Sequence, residues 1–239
     1  MFAIVIALAT LLAACVPVTV AQPGATGTPA PAMPTRVVTM STAVAQVIAL
    51  PTPQLKGTLT LEETLTQRRS VREFAETPLT QQELGQLLWA AQGITHPAGL
   101  RTAPSAGALY PLEVYAVTRD AVYRYDPQGH HLVVQVQCDV RPALYAAALM
   151  QAPVLRAPCV IVIAAVYART SAKYGEERAP RYVHLEAGHA AQNILLQAVA
   201  LDLGAVPIGA FYDDKVKRVL ALPADHDPLY LIPVGRLVK

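Results

Sequence analysis

Apolar residues recur along this chain in three rhythms, and each predicts a different element. After Thr80-Gln81-Gln82-Glu83, the residues Leu84, Leu87, Leu88 and Ala91 return at the spacing of one helix face, and Gly93 marks the stop. Thr60-Leu61-Glu62-Glu63 has the same opening. In both, a Thr hydroxyl and a Glu carboxylate can satisfy amides that a helix start leaves unpaired. Between 182 and 203, Leu185, Gly188, Ala191, Ile194, Leu195, Ala198 and Val199 make a broad apolar face, predicting the longest helix with Gly204 as its terminator. Residues 141–150 predict a further helix, broken before Pro153, and Asp213 caps one running to about Leu222. The second rhythm is that of strands, over 112–118, 121–125, 132–137 and 229–235, the middle two joined by the turn Asp126-Pro127-Gln128-Gly129. The third is unbroken: residues 159–167 are apolar throughout and rich in β-branched side chains, as in a strand buried on both faces. Strands and helices mix without steady βαβ alternation, which predicts an α+β class. No strand leads into Gly-x-Gly-x-x-Gly, which disfavours a doubly wound nucleotide fold.

The amino end follows none of these rhythms. Residues 2–14 are an uncharged apolar run, shorter than the roughly 20 residues a membrane-spanning helix needs. It fits the apolar region of an export signal. The run ends in Leu12-Ala13-Ala14-Cys15, similar to a bacterial lipobox, in which small residues precede a cysteine that is lipidated. The expected organisation is therefore a signal over 1–15 with Cys15 as lipid anchor, a Pro-, Thr- and Ala-rich tether over 16–54, and a folded domain over 55–239. That places the protein in the cell envelope, held to the membrane by its lipid. No Lys or Arg precedes the run, and the first basic residue is Arg36, so a functionless leader on a cytoplasmic protein is the alternative.

Composition narrows the classes of function. With 53% hydrophobic and 15% charged residues, the chain can build a large core. A net charge of +2 argues against nucleic acid as a partner, so any anion must be met by local clusters. Cys138 and Cys159 form no CxxC pair, and no Cys/His set has metal spacing. They read as small core residues, with a disulfide between them as the alternative.

Four segments carry candidate chemistry. Arg68-Arg69-Ser70-Val71-Arg72 puts three guanidinium groups within five residues. Like charges at such spacing repel by a few tenths of a kcal/mol per pair, about 0.2–0.5, and an anionic ligand reverses that sign. Pro104-Ser105-Ala106-Gly107-Ala108-Leu109-Tyr110 combines small residues with a hydroxyl directly before a strand, so backbone amides can approach a ligand. Gly204-Ala205-Val206-Pro207-Ile208-Gly209 follows the long helix, and Pro233-Val234-Gly235-Arg236 ends the chain. A solvated basic corner and an ordinary turn are the plain readings of each segment alone.

In this order the four segments resemble the nitroreductase superfamily over about residues 60–239. The resemblance is closest to its SagB-type dehydrogenases, through PSAGALYPLEVY, KYGEERAPRYVHLEAGHAAQNILLQA and PLYLIPVGRL. It implies an α+β fold with a central, mostly antiparallel sheet flanked by helices, in an intertwined homodimer with two FMN molecules at the interface. It implies that Arg68, Arg69, Ser70 and Arg72 contact FMN, and that Ser105, Ala106 and Gly107 approach it from the partner. It implies further that the backbone of Pro207, Ile208 and Gly209 lies near the ring, and that Gly235 and Arg236 help hold the phosphate. Ala108 and Tyr110 stand where ordinary nitroreductases resemble Asn and Gln, a departure shared with the SagB-type branch.

In azoline-oxidising members a Lys-Tyr pair before the long helix is proposed to remove a proton. Lys173-Tyr174 resembles it, with a Lys made basic at neutral pH by burial as candidate catalytic base. An exposed Lys beside a packing Tyr is the alternative. His184 and His189 read as structural, and Glu186 as a partner for a neighbouring Arg. The expected activity is FMN-dependent hydride transfer with a small organic substrate, as a SagB-type dehydrogenase or a nitro- or quinone-type reductase, with NAD(P)H as candidate donor. A flavin- or ligand-binding envelope protein without turnover is the second hypothesis.

Overall fold

The structure, a computed structural model, describes residues 46–238. Its elements in chain order are β1 (Val47–Ala49), α1 (Leu61–Gln67), α2 (Gln81–Gln92), β2 (Leu112–Thr118), β3 (Val122–Asp126), β4 (His131–Val136), α3 (Arg141–Ala147), α4 (Ala152–Arg156), β5 (Cys159–Ala165), α5 (Tyr167–Tyr174), α6 (Ala179–Ala200), β6 (Leu203–Ala205), α7 (Asp213–Val219) and β7 (Asp227–Arg236). The seven strands form one sheet in the order β1-β4-β3-β2-β5-β7-β6, and every pairing of named strands is antiparallel. This is the α+β class that the mixed rhythms predict.

β5 lies inside the sheet between β2 and β7, and all seven of its residues are buried, as its unbroken apolar run requires. Its side chains alternate between two cores. Ile161 and Ile163 meet Leu87, Leu88 and Ile194 of α2 and α6, while Val160 and Val162 meet Leu144, Val216 and Leu220 of α3 and α7. Both predicted capping boxes form: Thr60 and Thr80 accept from the amides of Glu63 and Glu83, and those carboxylates accept from the Thr amides.

Several expectations are corrected. Val47–Ala49 pairs with β4 and Leu50 is buried, so packed structure begins inside the segment expected to be a tether. The rest of that segment, the apolar run and Cys15 lie outside the described residues. The helix expected over 141–150 ends at Ala147, where Leu149 and Met150 take left-handed backbone angles, and a short α4 follows with Pro153 in its first turn. The apolar run 159–167 stops as a strand at Ala165, and Tyr167 opens α5, a helix the sequence did not advertise. Leu185 is 56% exposed rather than part of the core face of α6. Tyr212, not Asp213, is the N-cap of α7. Cys159 is buried, with its thiol pushed up to about 12 by that burial, whereas Cys138 is exposed, and both are free.

Gly204 does not terminate α6. The helix ends at Ala200 with Leu201 as its C-cap, and Asp202 turns the chain at φ 57. Gly204 lies inside β6, where a Cβ would stand 2.7 Å from Val71 Cβ. Its missing side chain makes room for the segment that carries the arginines.

Candidate functional site

The arginine segment leaves α1 at Arg68, whose amide closes the helix on the Thr64 carbonyl, and then runs along the sheet edge. Ser70 bridges to Ala205 of β6, the Val71 amide donates to the Ala205 carbonyl, and the Ala75 amide donates to the Arg236 carbonyl. Gly235 is buried beneath this segment: a Cβ there would lie 2.6 Å from Pro158 Cδ and 3.0 Å from Phe74 Cβ. Gly204 and Gly235 thus let residues 70–75 sit flush on the sheet. Gly235 therefore serves as a packing site for this segment.

Arg69 and Arg72 are exposed, and Arg68 is half-buried. Among the described residues none of the three pairs with a carboxylate. Arg69 donates to the Thr66 and Arg68 carbonyls, and Arg72 reaches only the Ser70 carbonyl at 3.5 Å. Arg72 lines a cleft of 360 Å³ with Pro207, Ile208 and Gly209. Nothing lies within 4 Å of a Cβ built on Gly209, so the backbone there is open to a ligand. Two of the four predicted segments therefore meet at one surface, with Arg72 on one wall and bare backbone on the other.

Arg236 has a carboxylate partner within the chain. Its guanidinium lies 2.8 Å from Glu83 Oε1 and 3.0 Å from Oε2, so a carboxylate of the α2 capping box already holds it. The partner is 153 positions away in sequence, and no local signal could have found it.

The 105–110 loop is the second region. Three residues in it have left-handed backbone: Gly107 (φ 64), Ala108 (φ 55) and Tyr110 (φ 47). A non-glycine residue there costs on the order of 1 kcal/mol and persists only where its surroundings enforce it. Here they do. The Ser105 hydroxyl accepts from the Tyr110 amide at 2.9 Å, and the Tyr110 hydroxyl accepts from the Arg101 amide at 3.2 Å. Arg169 of α5 donates to the Tyr110 carbonyl at 3.0 Å. A Cβ on Gly107 would lie 2.9 Å from Lys173 Nζ and 3.0 Å from the Tyr174 hydroxyl, so the Lys-Tyr pair stands directly over this glycine. Tyr174 also packs on Tyr182, ring centroids 4.6 Å apart. Lys173 itself is exposed, so its own chain does not supply the expected burial. His184 shares a hydrogen bond of 2.7 Å with Tyr167.

Beneath the loop lies a charged cluster that sequence reasoning left mostly unread. The Arg101 guanidinium donates to Gln92 Oε1 at 2.8 Å and stacks 4.6 Å from the Tyr110 ring centroid. Its burial lowers its pKa, against the pull of Glu113 and Glu186. Glu186 on α6 is buried, which pushes its carboxyl up to about 7, while Ser105, Arg101 and Gln92 oppose the shift. Glu186 Oε1, Gln92 Nε2 and Arg101 Nε are buried without a partner. The arginine facing Glu186 belongs to its own chain.

Comparison with known proteins agrees with this architecture. The Nitroreductase family model matches residues 65–236. A candidate nitroreductase of Methanocaldococcus jannaschii is 46% identical over 185 residues, covering 75% of this chain and 92% of its own. The crystal structure of a candidate nitroreductase from Ralstonia eutropha matches with a TM-score of 0.72 at 30% identity, covering 81% of this chain and 90% of that one. A third, from Anabaena variabilis, gives 0.66 at 31% identity, covering 74% of this chain and 38% of the other.

Proposed function

The chain belongs to the nitroreductase family of oxidoreductases, and from that premise we propose that it binds FMN between two copies of itself and exchanges hydride with a small organic substrate. The observation that carries this reading is the cluster of Arg68, Arg69 and Arg72, unpaired with any carboxylate among the described residues, with Arg72 beside the open backbone of 207–209. Three such cations on a fixed backbone favour a phosphate-bearing ligand. In this reading Arg68, Arg69, Ser70 and Arg72 hold the phosphate and its polar chain, and 207–209 lie along the ring. Bound FMN would supply two-electron chemistry. Cationic side chains at the cleft favour negative charge on what they hold.

Ser105, Ala106 and Gly107 complete the site from the partner copy and bring Lys173 and Tyr174 with them. Tyr174 can donate or accept a proton through its hydroxyl, and Lys173 can do so through its amine. The left-handed Ala108 and Tyr110, at the places that distinguish the SagB-type branch, favour a dehydrogenase or reductase of that branch, with NAD(P)H as a candidate donor. Attachment to the envelope through Cys15 belongs to the same proposal and rests on the sequence alone.

The purified chain should absorb in the oxidised-flavin window, roughly 350–470 nm. Arg68→Ala combined with Arg72→Ala should lose most of that absorbance while helix content by circular dichroism stays the same. A colourless wild-type protein, or unchanged flavin stoichiometry in the double variant, would sink the assignment.

A further inference from the structure

β2, β3 and α5 close around a polar cleft of 360 Å³ that lies beside the 105–110 loop and is distinct from the cleft holding Arg72. Glu113 stands at its centre, with its side chain only 12% exposed. Arg169 pairs with it closely. Arg124 approaches to 3.6 Å, too far for a hydrogen bond, and makes none within the described residues. Arg101 forms the inner wall.

The charges here do not balance. Three guanidinium groups face two carboxylates, those of Glu113 and Asp126. Glu186 lies behind Arg101, but burial draws it toward neutrality. Asp126 lines the cleft as well, 3.4 Å from His131 and accepting from the Gln128 amide. A concave surface with a net positive charge, on which the Arg124 guanidinium makes no hydrogen bond among the described residues, attracts an anion. The cleft already accommodates one carboxylate, that of Glu113, between Arg124 and Arg169, which favours a planar carboxylate over a tetrahedral anion.

The position of the cleft gives it meaning. Arg169 and Lys173 are four residues apart on α5, so they share a face one turn apart. Arg169 also holds the carbonyl of Tyr110, in the loop on which Lys173 and Tyr174 stand. We propose that Arg124 and Arg169 bind the carboxylate of the small organic substrate, placing the rest of that molecule beside Lys173 and Gly107. This deepens the proposed function and rests on it for the identity of the reacting site.

The test uses two neutral-to-anionic matched probes, 4-nitrobenzamide and 4-nitrobenzoate, and measures their binding to the purified full chain by equilibrium dialysis. The wild-type protein should prefer the benzoate by about tenfold at low salt, as expected for charge-assisted pairing, and less as salt is raised. Arg124→Gln should bring the ratio of the two dissociation constants close to one, and Arg124→Lys should keep most of the preference. Glu113→Gln, which removes the competing carboxylate, should increase it. Equal affinities in the wild type, or a preference unchanged in Arg124→Gln, would overturn the proposal. So would displacement of the benzoate by inorganic phosphate but not by acetate at equal concentration, which would assign the cleft to phosphate. Dialysis needs no electron transfer, so the two readings fail separately. A colourless protein that discriminates between the probes loses the FMN reading alone, and a yellow protein that does not discriminate loses only the anion site.

Discussion

Arg68, Arg69 and Arg72 stand at or near the surface with no carboxylate to meet them among the described residues, whereas Arg101 is sunk beneath the 105–110 loop among Gln92, Tyr110 and Glu186. The first group has charge without partners on a backbone fixed from below by two glycines and the sheet edge. The second is packed among polar side chains, with Arg101 Nε buried unpaired, and its surroundings hold three left-handed residues in place. The contrast separates two ways of preparing a site. One leaves side chains free for a ligand and fixes their attachment. The other fixes the loop itself and leaves its exposed backbone to do the contacting.

The contrast can be broken from the glycine side first. Gly235→Val drives a branched side chain into Pro158 and Phe74, and overpacking of this kind should cost about 3 kcal/mol, lowering Tm by roughly 6–12 °C in a thermal melt. Gly204→Ala presses on Val71 rather than on the inner core. It should cost about 2 kcal/mol, roughly 4–8 °C, and reduce flavin content beyond what the lost stability explains. A Gly204→Ala protein with normal Tm and normal absorbance would show that the arginine segment is not seated by this contact.

Glu186→Gln sharpens the other side. Burial raises the folded pKa to about 7 from an ordinary 4.5, so the folded protein holds this proton more tightly than the unfolded chain does. The resulting stability is fully present below about pH 4.5, falls as pH rises toward 7, and is lost above that. The Gln variant keeps a neutral side chain at every pH. Its Tm should exceed that of wild type by roughly 2–4 °C at pH 8, and the gap should close near pH 5. A constant gap across that range would remove the titration of Glu186 as its cause. The smallest effect belongs to Ala108→Gly. Relief at φ 55 nearly cancels the added freedom of the unfolded chain, so Tm should move by no more than about 1 °C.

What was legible in the sequence was local. The capping boxes of α1 and α2 are each written within four residues, and β5 announces itself by an apolar run that only a doubly covered strand can hold. The arginine segment and the small-residue loop were visible for the same reason, as compact clusters. What stayed hidden depends on distant chain. Gly204 looks like a helix terminator until Val71 is packed against it, and Arg236 looks unpaired until α2 brings Glu83 to it. α5 was missed because Tyr-Ala-Arg-Thr-Ser-Ala-Lys-Tyr buries only Thr170 and so leaves almost no apolar rhythm to read. The ring of Arg124 and Arg169 around Glu113 draws on two strands and a helix separated by 56 positions at the widest, which no spacing rule spans.

The bridge from Ser70 to Ala205 has a further consequence. β6 ends the sheet, and its outer amides and carbonyls would otherwise be open to any passing extended peptide. Residues 70–75 cover that rim, and the mutually repelling cations lie on this segment at Arg72 and just before it at Arg68 and Arg69. Whatever neutralises those cations therefore also keeps the rim closed, so the protein should resist clumping best when its anionic ligand is in place.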